Sequence, residues 1–469
     1  MTMRIGIGAP PVGVPDMGAG AIINLLKGDP WLTNKSDGRP GERIVTSWTW
    51  DDSYTVLTLK LRRDVYFHDD TLLTPQVAAE ALRASVTARD QASLSSVASV
   101  QPQGDDTVVI KLKEPNGFLL LDLTAMMVTK PGDKNIGTGP YRLVSKQNND
   151  ANLTAFTRYY RGRPALSGID VVNYPTQRKA WAAMMRGDID MLHEVSREAA
   201  EFVEAETSVN TFSFPRPYYI PLTFNARHPI LRDARVRRAI NQAVDRTALV
   251  REGLRGRGSP SDGPVFPQNW AYAPPAAPFV YNPAAARQLL DEAGYPARPN
   301  AETAIPIRFS FTCLVFAEDQ RFDRIALLVQ RQLADVGIDM RLVPVPLREL
   351  GKRAIGGEFD AFIMEISGRS LSRVYEFWRS GGGFINPGYT AADTVLDRIR
   401  AASSDEEIRT AVADFVRVMH EDPPAAFLAW EETSRAVRAT FDVVPDAKRD
   451  ILTNLWMWRP ATAPAQARR

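Results

Sequence analysis

A chain of 469 residues with 44% hydrophobic and 24% charged side chains has the balance of a soluble globular protein, and it is too long for one core, so two or three lobes are expected. Lys and Arg number 57 against 55 Asp and Glu, a formal net charge of +2, so no polyanion partner is implied, a nucleic-acid binder usually carrying a concentrated basic face. The single cysteine, Cys313, excludes an intrachain disulfide, and His68, His193, His228 and His420 lie too far apart for a metal cage with ligand spacing.

Residues 1–30 read as a strand followed by the Gly/Pro-rich loop Gly8-Ala9-Pro10-Pro11-Val12-Gly13-Val14-Pro15, which turns sharply and permits close backbone approach. A second unit opens near Trp31, with strands over 44–50, 54–61 and 107–112. Between them Thr74-Pro75 starts a helix over 76–89, Thr74 as N-cap and Pro75 in the first turn. The longest apolar stretch, 117–128, is interrupted by Asp122 and is too short to span a bilayer, which takes about 20 residues. From Gly139 a mixed unit follows: strands 153–157, 169–173, 189–193 and 219–225, with helices 177–186 (stopped by Gly187) and 197–206.

After Asn225, Asp233 caps an amphipathic helix carrying Val236, Ile240, Ala243 and Val244 at helical spacing. Arg237, Arg238, Asp245 and Arg246 read as a charged, solvated or ion-paired face of that helix. Asn282-Pro283 caps the next helix, which stops at Gly294. Strands 307–314, 338–345 and 359–366 then alternate with helices 319–336 and 347–355, the pattern of a parallel α/β lobe. Helices over 392–401 and 406–420 and a return strand over 425–430 complete it, and the Ala/Pro-rich stretches 271–284 and 460–467 read as a surface loop and a frayed tail.

No phosphate loop, nucleophile elbow, His-Glu-x-x-His or dinucleotide fingerprint occurs. Asp69-Asp70 and Asp188/Asp190 are carboxylate pairs that turns and strand ends explain. Cys313, in an apolar run, reads as a buried small hydrophobe. What recurs is scaffold chemistry: Leu59-Lys60-Leu61-Arg62-Arg63-Asp64-Val65-Tyr66-Phe67-His68-Asp69-Asp70, then the tight-turn element Gly137-Thr138-Gly139-Pro140-Tyr141 with two glycines expected at positive φ. The run 236–246 and the run 281–295 follow in the same order.

In this order the segments closely resemble the extracytoplasmic solute-binding proteins of the peptide-binding class, family 5, that serve ABC importers. The resemblance implies a two-lobed α/β periplasmic-binding-protein fold, type II and cluster C-like, with an accessory subdomain in the first lobe. The lobes are expected as 1–30, 138–227 and 434–469 for lobe I, 31–137 for the accessory subdomain and 228–433 for lobe II. The implied activity is capture of a small organic solute by hinge closure and delivery to an ABC permease, by a monomer, with no catalytic residue, metal, cofactor or nucleic acid. The implied compartment is the periplasm. No apolar signal core precedes Met3, so a leader outside this sequence and a cytoplasmic member both stay open.

The candidate ligand-binding residues are Tyr219, Asn225, Trp270, Arg369, Arg373, Trp378 and Asn386. Tyr219 and Asn225 sit at the hand-over between lobes; period-two alternation places Tyr219, Pro221 and Thr223 on one face and Tyr218, Ile220, Leu222 and Phe224 on the other. Trp270, Trp378 and Asn386 supply the aromatic walls and polar group of a small-solute pocket. In the resembled family an aspartate that captures a peptide ammonium follows the strand matching 359–366. Here the run 367–378 has none; Arg369 and Arg373 stand there instead, with Glu365 and Glu376 as the nearest acids. That exchange points to an anionic or neutral polar head, the alternative being that both arginines are surface residues. The stretch from Phe67 to Gly137 favours a compact pocket. Two other readings are a cytoplasmic ligand sensor of the same fold and a cleft hydrolase.

Overall fold

The computed structural model describes residues 1–8, 15–88, 94–147, 150–197, 199–299, 306–317, 319–446 and 449–462. The chain divides into two units: Met1–Pro215 with Thr433–Arg469, and Arg216–Glu432. The expected loop after Gly8, the end of the second helix and the C-terminal tail fall largely outside the described residues.

In unit 1, strand β1 (Thr2–Gly8) precedes helix α1 (Pro15–Lys27). The accessory subdomain follows as β2 (Val45–Trp50), β3 (Val56–Leu61), α2 (Pro75–Ala88), β4 (Val97–Gln103) and β5 (Thr107–Leu112), a four-stranded antiparallel sheet in the order β2-β3-β5-β4. Its core packs Trp31, Leu57, Leu59, Phe67, Leu82, Val108 and Ile110. β4 was not legible: it carries Pro102 and buries only Val100, the profile of an edge strand with one-sided support. The rest of the unit is β6 (Tyr141–Gln147), β7 (Asp150–Ala155), β8 (Gly168–Tyr174), α3 (Gln177–Arg186) and β9 (Met191–Leu192). β1 runs parallel to β8, with Ile5 opposite Val171, and parallel to β9. Helix α3 has the expected bounds because both ends are chemically marked: the Thr176 side chain accepts from Lys179 N–H, and Gly187 turns left-handed at φ 84°.

Two sequence motifs meet in this unit. Gly137 N–H donates to His68 Nδ1 at 3.4 Å, His68 Nε2 bonds the Gly139 carbonyl at 3.0 Å, and His68 N–H donates to the Gly137 carbonyl. This fixes a neutral ring with the proton on Nε2. Burial pushes the ring down to about 4, the Gly139 bond opposing that shift. The glycines are not at positive φ, contrary to expectation. They are needed for space: a Cβ on Gly137 would lie 2.1 Å from the Lys27 carbonyl oxygen, and one on Gly139 2.5 Å from that of Leu26.

Unit 2 begins inside β10 (Val209–Phe224), a strand much longer than the expected 219–225 because it absorbs Pro215 and Pro217. Helix α4 (Ala234–Ala243) is capped by Asp233 as expected, but it stops at extended Val244, and Asp245 caps a new helix, α5 (Arg246–Gly253). At Arg237 and Arg246 the solvated alternative is overturned by burial, whereas the ion-paired one holds at Arg237, whose guanidinium pairs with Asp422. Arg237 is buried and donates to the carbonyls of Pro423 and Leu231; Arg246 is buried and donates to those of Ser261, Phe427 and Asn241 and to the Asn241 side chain. Each guanidinium ties several chain segments together.

The unit continues through β11 (Gly258–Pro260), α6 (Pro283–Glu292), β12 (Phe309–Phe316), α7 (Gln320–Ala334), β13 (Ile338–Val345), α8 (Leu347–Gly356), β14 (Ala361–Ile363), β15 (Ile366–Ser367), α9 (Leu371–Trp378), α10 (Asp393–Ala401), α11 (Asp405–Glu421) and β16 (Ala425–Arg438). β12 pairs in parallel with β13 and β14, the expected crossover pattern. β10 is antiparallel to β14 and β15. Ile220, Leu222, Phe224, Val236, Ile240, Phe311, Val329 and Leu428 form the core, with Cys313 inside it and its thiol pushed up by burial.

Candidate solute-binding site

A cluster of charges stands where the chain enters and leaves unit 2. Arg216 is the unit's first residue, on β10, and Glu431 its penultimate one, on β16. Arg216 Nη1 donates to Glu431 Oε2 at 3.2 Å and to Glu365 Oε2 at 3.3 Å. Arg321, in the first turn of α7, donates to the other Glu431 oxygen at 2.7 Å and to Asp319, the residue that caps that helix. Glu431 is fully enclosed, whereas the Glu365 side chain keeps 25% of its surface.

Burial raises the Glu365 carboxyl to about 7, and neighbouring Glu431 adds to the shift against the opposing pull of Arg216 and Arg321. Two carboxylates sharing one guanidinium nitrogen cannot both hold full charge cheaply. The strained member is the one with solvent access, so Glu365 is the carboxyl of the pair able to change protonation state.

Aromatic rings frame these charges. The Arg216 guanidinium lies 4.6 Å from the Tyr218 ring centre. Trp430, next to Glu431, packs edge-on against Tyr219 and Phe266. Gly368 N–H donates to the Pro217 carbonyl, bringing the loop after β15 beside this strand. Only glycine fits there: a Cβ would lie 2.5 Å from the Trp430 ring and 2.8 Å from the Pro264 carbonyl oxygen. The next residue, Arg369, is exposed, and its guanidinium has no bonded partner among the described residues.

The seven residues singled out from sequence fall into separate places in unit 2. Tyr219 and Trp378 are enclosed together, with Trp378 Nε1–H donating to the Tyr219 hydroxyl at 2.8 Å. Alternation could not sort the 219–224 segment into two faces, because every residue of it is buried. Asn225 Nδ2 donates to the carbonyls of Gly357 and Phe359, its Oδ1 accepts from Arg227 N–H, and the Arg227 side chain donates to Asn386. Arg373 pairs with buried Glu376 at 2.7 Å and lies over Phe384, so both are committed locally. Trp270 lies beneath Arg409 of α11. Of the seven, Arg369 and Tyr219 neighbour the charge cluster directly along the chain or through Trp430.

Arg216, Arg321 and Glu431 were not found from sequence. Each sits in a different segment, without a motif, and only strand pairing and helix placement assemble them. Among the described residues no three His, Cys, Asp or Glu side chains are placed to hold a metal, and no helix is long and apolar enough to cross a membrane.

Residues 39–386 match the Bacterial extracellular solute-binding proteins, family 5 Middle. The chain belongs to this family. It is thus a family 5 solute-binding protein of the ABC importers. It is 24% identical over 437 residues to the oligopeptide-binding protein AppA of Bacillus subtilis, covering 85% of this chain and 80% of that one. It is 28% identical over 329 residues to the glutathione-binding protein GsiB of Escherichia coli, covering 66% of this chain and 62% of GsiB. The fold matches that of Campylobacter jejuni NikZ, solved with Ni(L-His), at a TM-score of 0.82 and 18% identity over 98% of this chain and 99% of NikZ. The α/β fold expected from the sequence is the fold of this family.

Proposed function

We propose that this family 5 protein captures a small polar organic solute and delivers it, chemically unchanged, to the membrane permease of an ABC importer. It would act outside the cytoplasm as a monomer, with the two strands that carry the chain across the division, β10 and β16, serving as hinge. The observation that carries the reading is the family match over residues 39–386. Neither a cytoplasmic sensor nor a hydrolase is favoured by that match.

The proposed solute carries an anionic or neutral polar head. With Glu365 protonated, Arg216 and Arg321 are balanced by Asp319 and Glu431, which leaves Arg369 as the uncompensated charge beside the cluster. Glu376, the other acid near the position of the missing aspartate, is taken by Arg373. The relatives' names span oligopeptide and glutathione binding, so a peptide-like compound with a free carboxylate fits the same chemistry.

Native mass spectrometry of freshly purified protein should show one co-purified small molecule, and calorimetry should show acidic or neutral solutes binding, with Arg369→Ala and Arg216→Ala weakening them. Micromolar binding of di- to tetrapeptides together with none of acidic or neutral solutes would refute the ligand class. Accumulation of a product from the bound solute would refute the transport reading.

A further inference from the structure

Unit 1 holds a concave site that neither the charge cluster of unit 2 nor the family match explains. It is a cavity of about 290 Å³, formed by the Thr33–Asn34 and Pro40–Gly41 hairpin, the end of β3, the turn after β7 and the C-terminal 3-10 turn Ile451–Met457. Five of its lining residues are cationic (Lys35, Arg43, Arg62, Arg161 and Arg449) and one, Glu42, is acidic.

The cations are held by different means. Arg43 is tied to buried Asp29 at 2.7 Å, and Arg449 to Asp446 and to the Asn34 carbonyl, so both are fixed in place. Arg62 forms a paired contact with Asp64, whose side chain is 56% exposed, and lies 4.9 Å from the Tyr160 ring centre. Such an exposed partner is readily displaced by a better anion. Arg161 stands 4.8 Å from the Trp456 ring centre, and neither it nor Lys35 has a carboxylate partner among the described residues. Thr453 and Asn454 add uncharged donors at the wall.

A basic cavity with two fixed guanidiniums, one loosely paired and two cations without a carboxylate is built for an anion. Guanidinium forks match oxyanions in geometry, and the rings of Tyr160 and Trp456 pack against the forks of Arg62 and Arg161. The volume lies at the small end of ligand pockets, which suits a compact multivalent species over an extended chain. We propose that this cavity binds a compact multivalent oxyanion, a phosphate compound or a polycarboxylate, independently of the transported solute.

Calorimetry on the full chain at low ionic strength would use inorganic pyrophosphate and citrate, with acetate as the monovalent control. At least one of the multivalent anions should bind, acetate should bind far more weakly, and Lys35→Ala with Arg161→Ala should weaken binding by at least about tenfold. Both residues are exposed, so the double variant is expected to fold, which its thermal unfolding checks. Absence of binding by both anions, or equal binding by the double variant, overturns the proposal. Because phosphate also sits on lipid headgroups, a second arm adds phosphatidylglycerol vesicles: vesicle binding displaced by pyrophosphate supports a phosphate pocket, whereas vesicle binding that pyrophosphate leaves intact and that alone depends on Lys35 and Arg161 overturns it.

Discussion

Replacing Glu365 by Gln should remove a pH-dependent cost from unit 2. The carboxyl titrates at an ordinary 4.5 in the free chain and about 7 in the fold. Below 4.5 it is protonated in both states and contributes nothing. Between 4.5 and 7 the unfolded chain has lost its proton while the folded chain retains it, so stability falls as pH rises, and above 7 the full cost is present. The interval is worth on the order of 3 kcal/mol, an upper figure because a quarter of the side chain meets solvent. Glutamine keeps an oxygen for Arg216 and has no charge to lose. Urea unfolding of wild type and Glu365→Gln between pH 4.5 and 8 should therefore give a stability difference that moves in favour of the variant by about 2 kcal/mol or more. The difference between the two proteins is the readout, because another buried group titrates in the opposite sense over part of this range. A constant difference across the range, or one moving in favour of wild type, refutes the electrostatic account of the cluster.

That opposing group is His68. Its ring is held neutral down to about 4, so the unfolded chain takes up a proton first as pH falls below 6.5, and stability is lost on acidification by on the order of 3 kcal/mol, seen as a slope that His68→Phe abolishes. Gly139→Ala puts a methyl against backbone atoms of residues 26–28 and should cost about 3 kcal/mol in urea unfolding, whereas Gly20→Ala in α1, with nothing within 4 Å, should be neutral or gain about 0.5–1 kcal/mol. Tyr219→Phe leaves the enclosed Trp378 Nε1–H without its acceptor and should cost about 1–3 kcal/mol; a loss near zero would mean that the bond contributes nothing beyond packing.

Legibility followed how local the chemistry was. Helix α3 was readable to the residue because its cap and its left-handed glycine are adjacent to it, and α7 was framed by Asp319 and Gly337 in the same way. The expected strand 219–225 is shorter than β10 because Pro215 and Pro217 speak against a strand locally. The α4–α5 break was missed because Val236, Ile240, Ala243 and Val244 continue a helical spacing through a residue that the fold holds extended. Asp245-Arg246 then looked like a helix face, when it is a cap followed by a buried cation.

Charged residues were the hardest to place, and the reason is general. Sequence offers a guanidinium solvent or a nearby carboxylate, and the fold offers other partners that depend on remote carbonyls and carboxylates. Arg246 bonds segments near residues 241, 261 and 427; Arg216 and Arg321 are brought together by Glu431, far from both along the chain. With the proposed solute bound at this cluster, the same dependence would report the charge of its head. A ligand cation placed on Glu365 would favour the ionised carboxyl, so affinity would rise as pH increases through about 7. A ligand carboxylate accepting a hydrogen bond from protonated Glu365 would give the reverse. The sign of that slope, measured by calorimetry for wild type and lost in Glu365→Gln, reports the charge of the solute's head. A rising slope would exclude the anionic head inferred from Arg369.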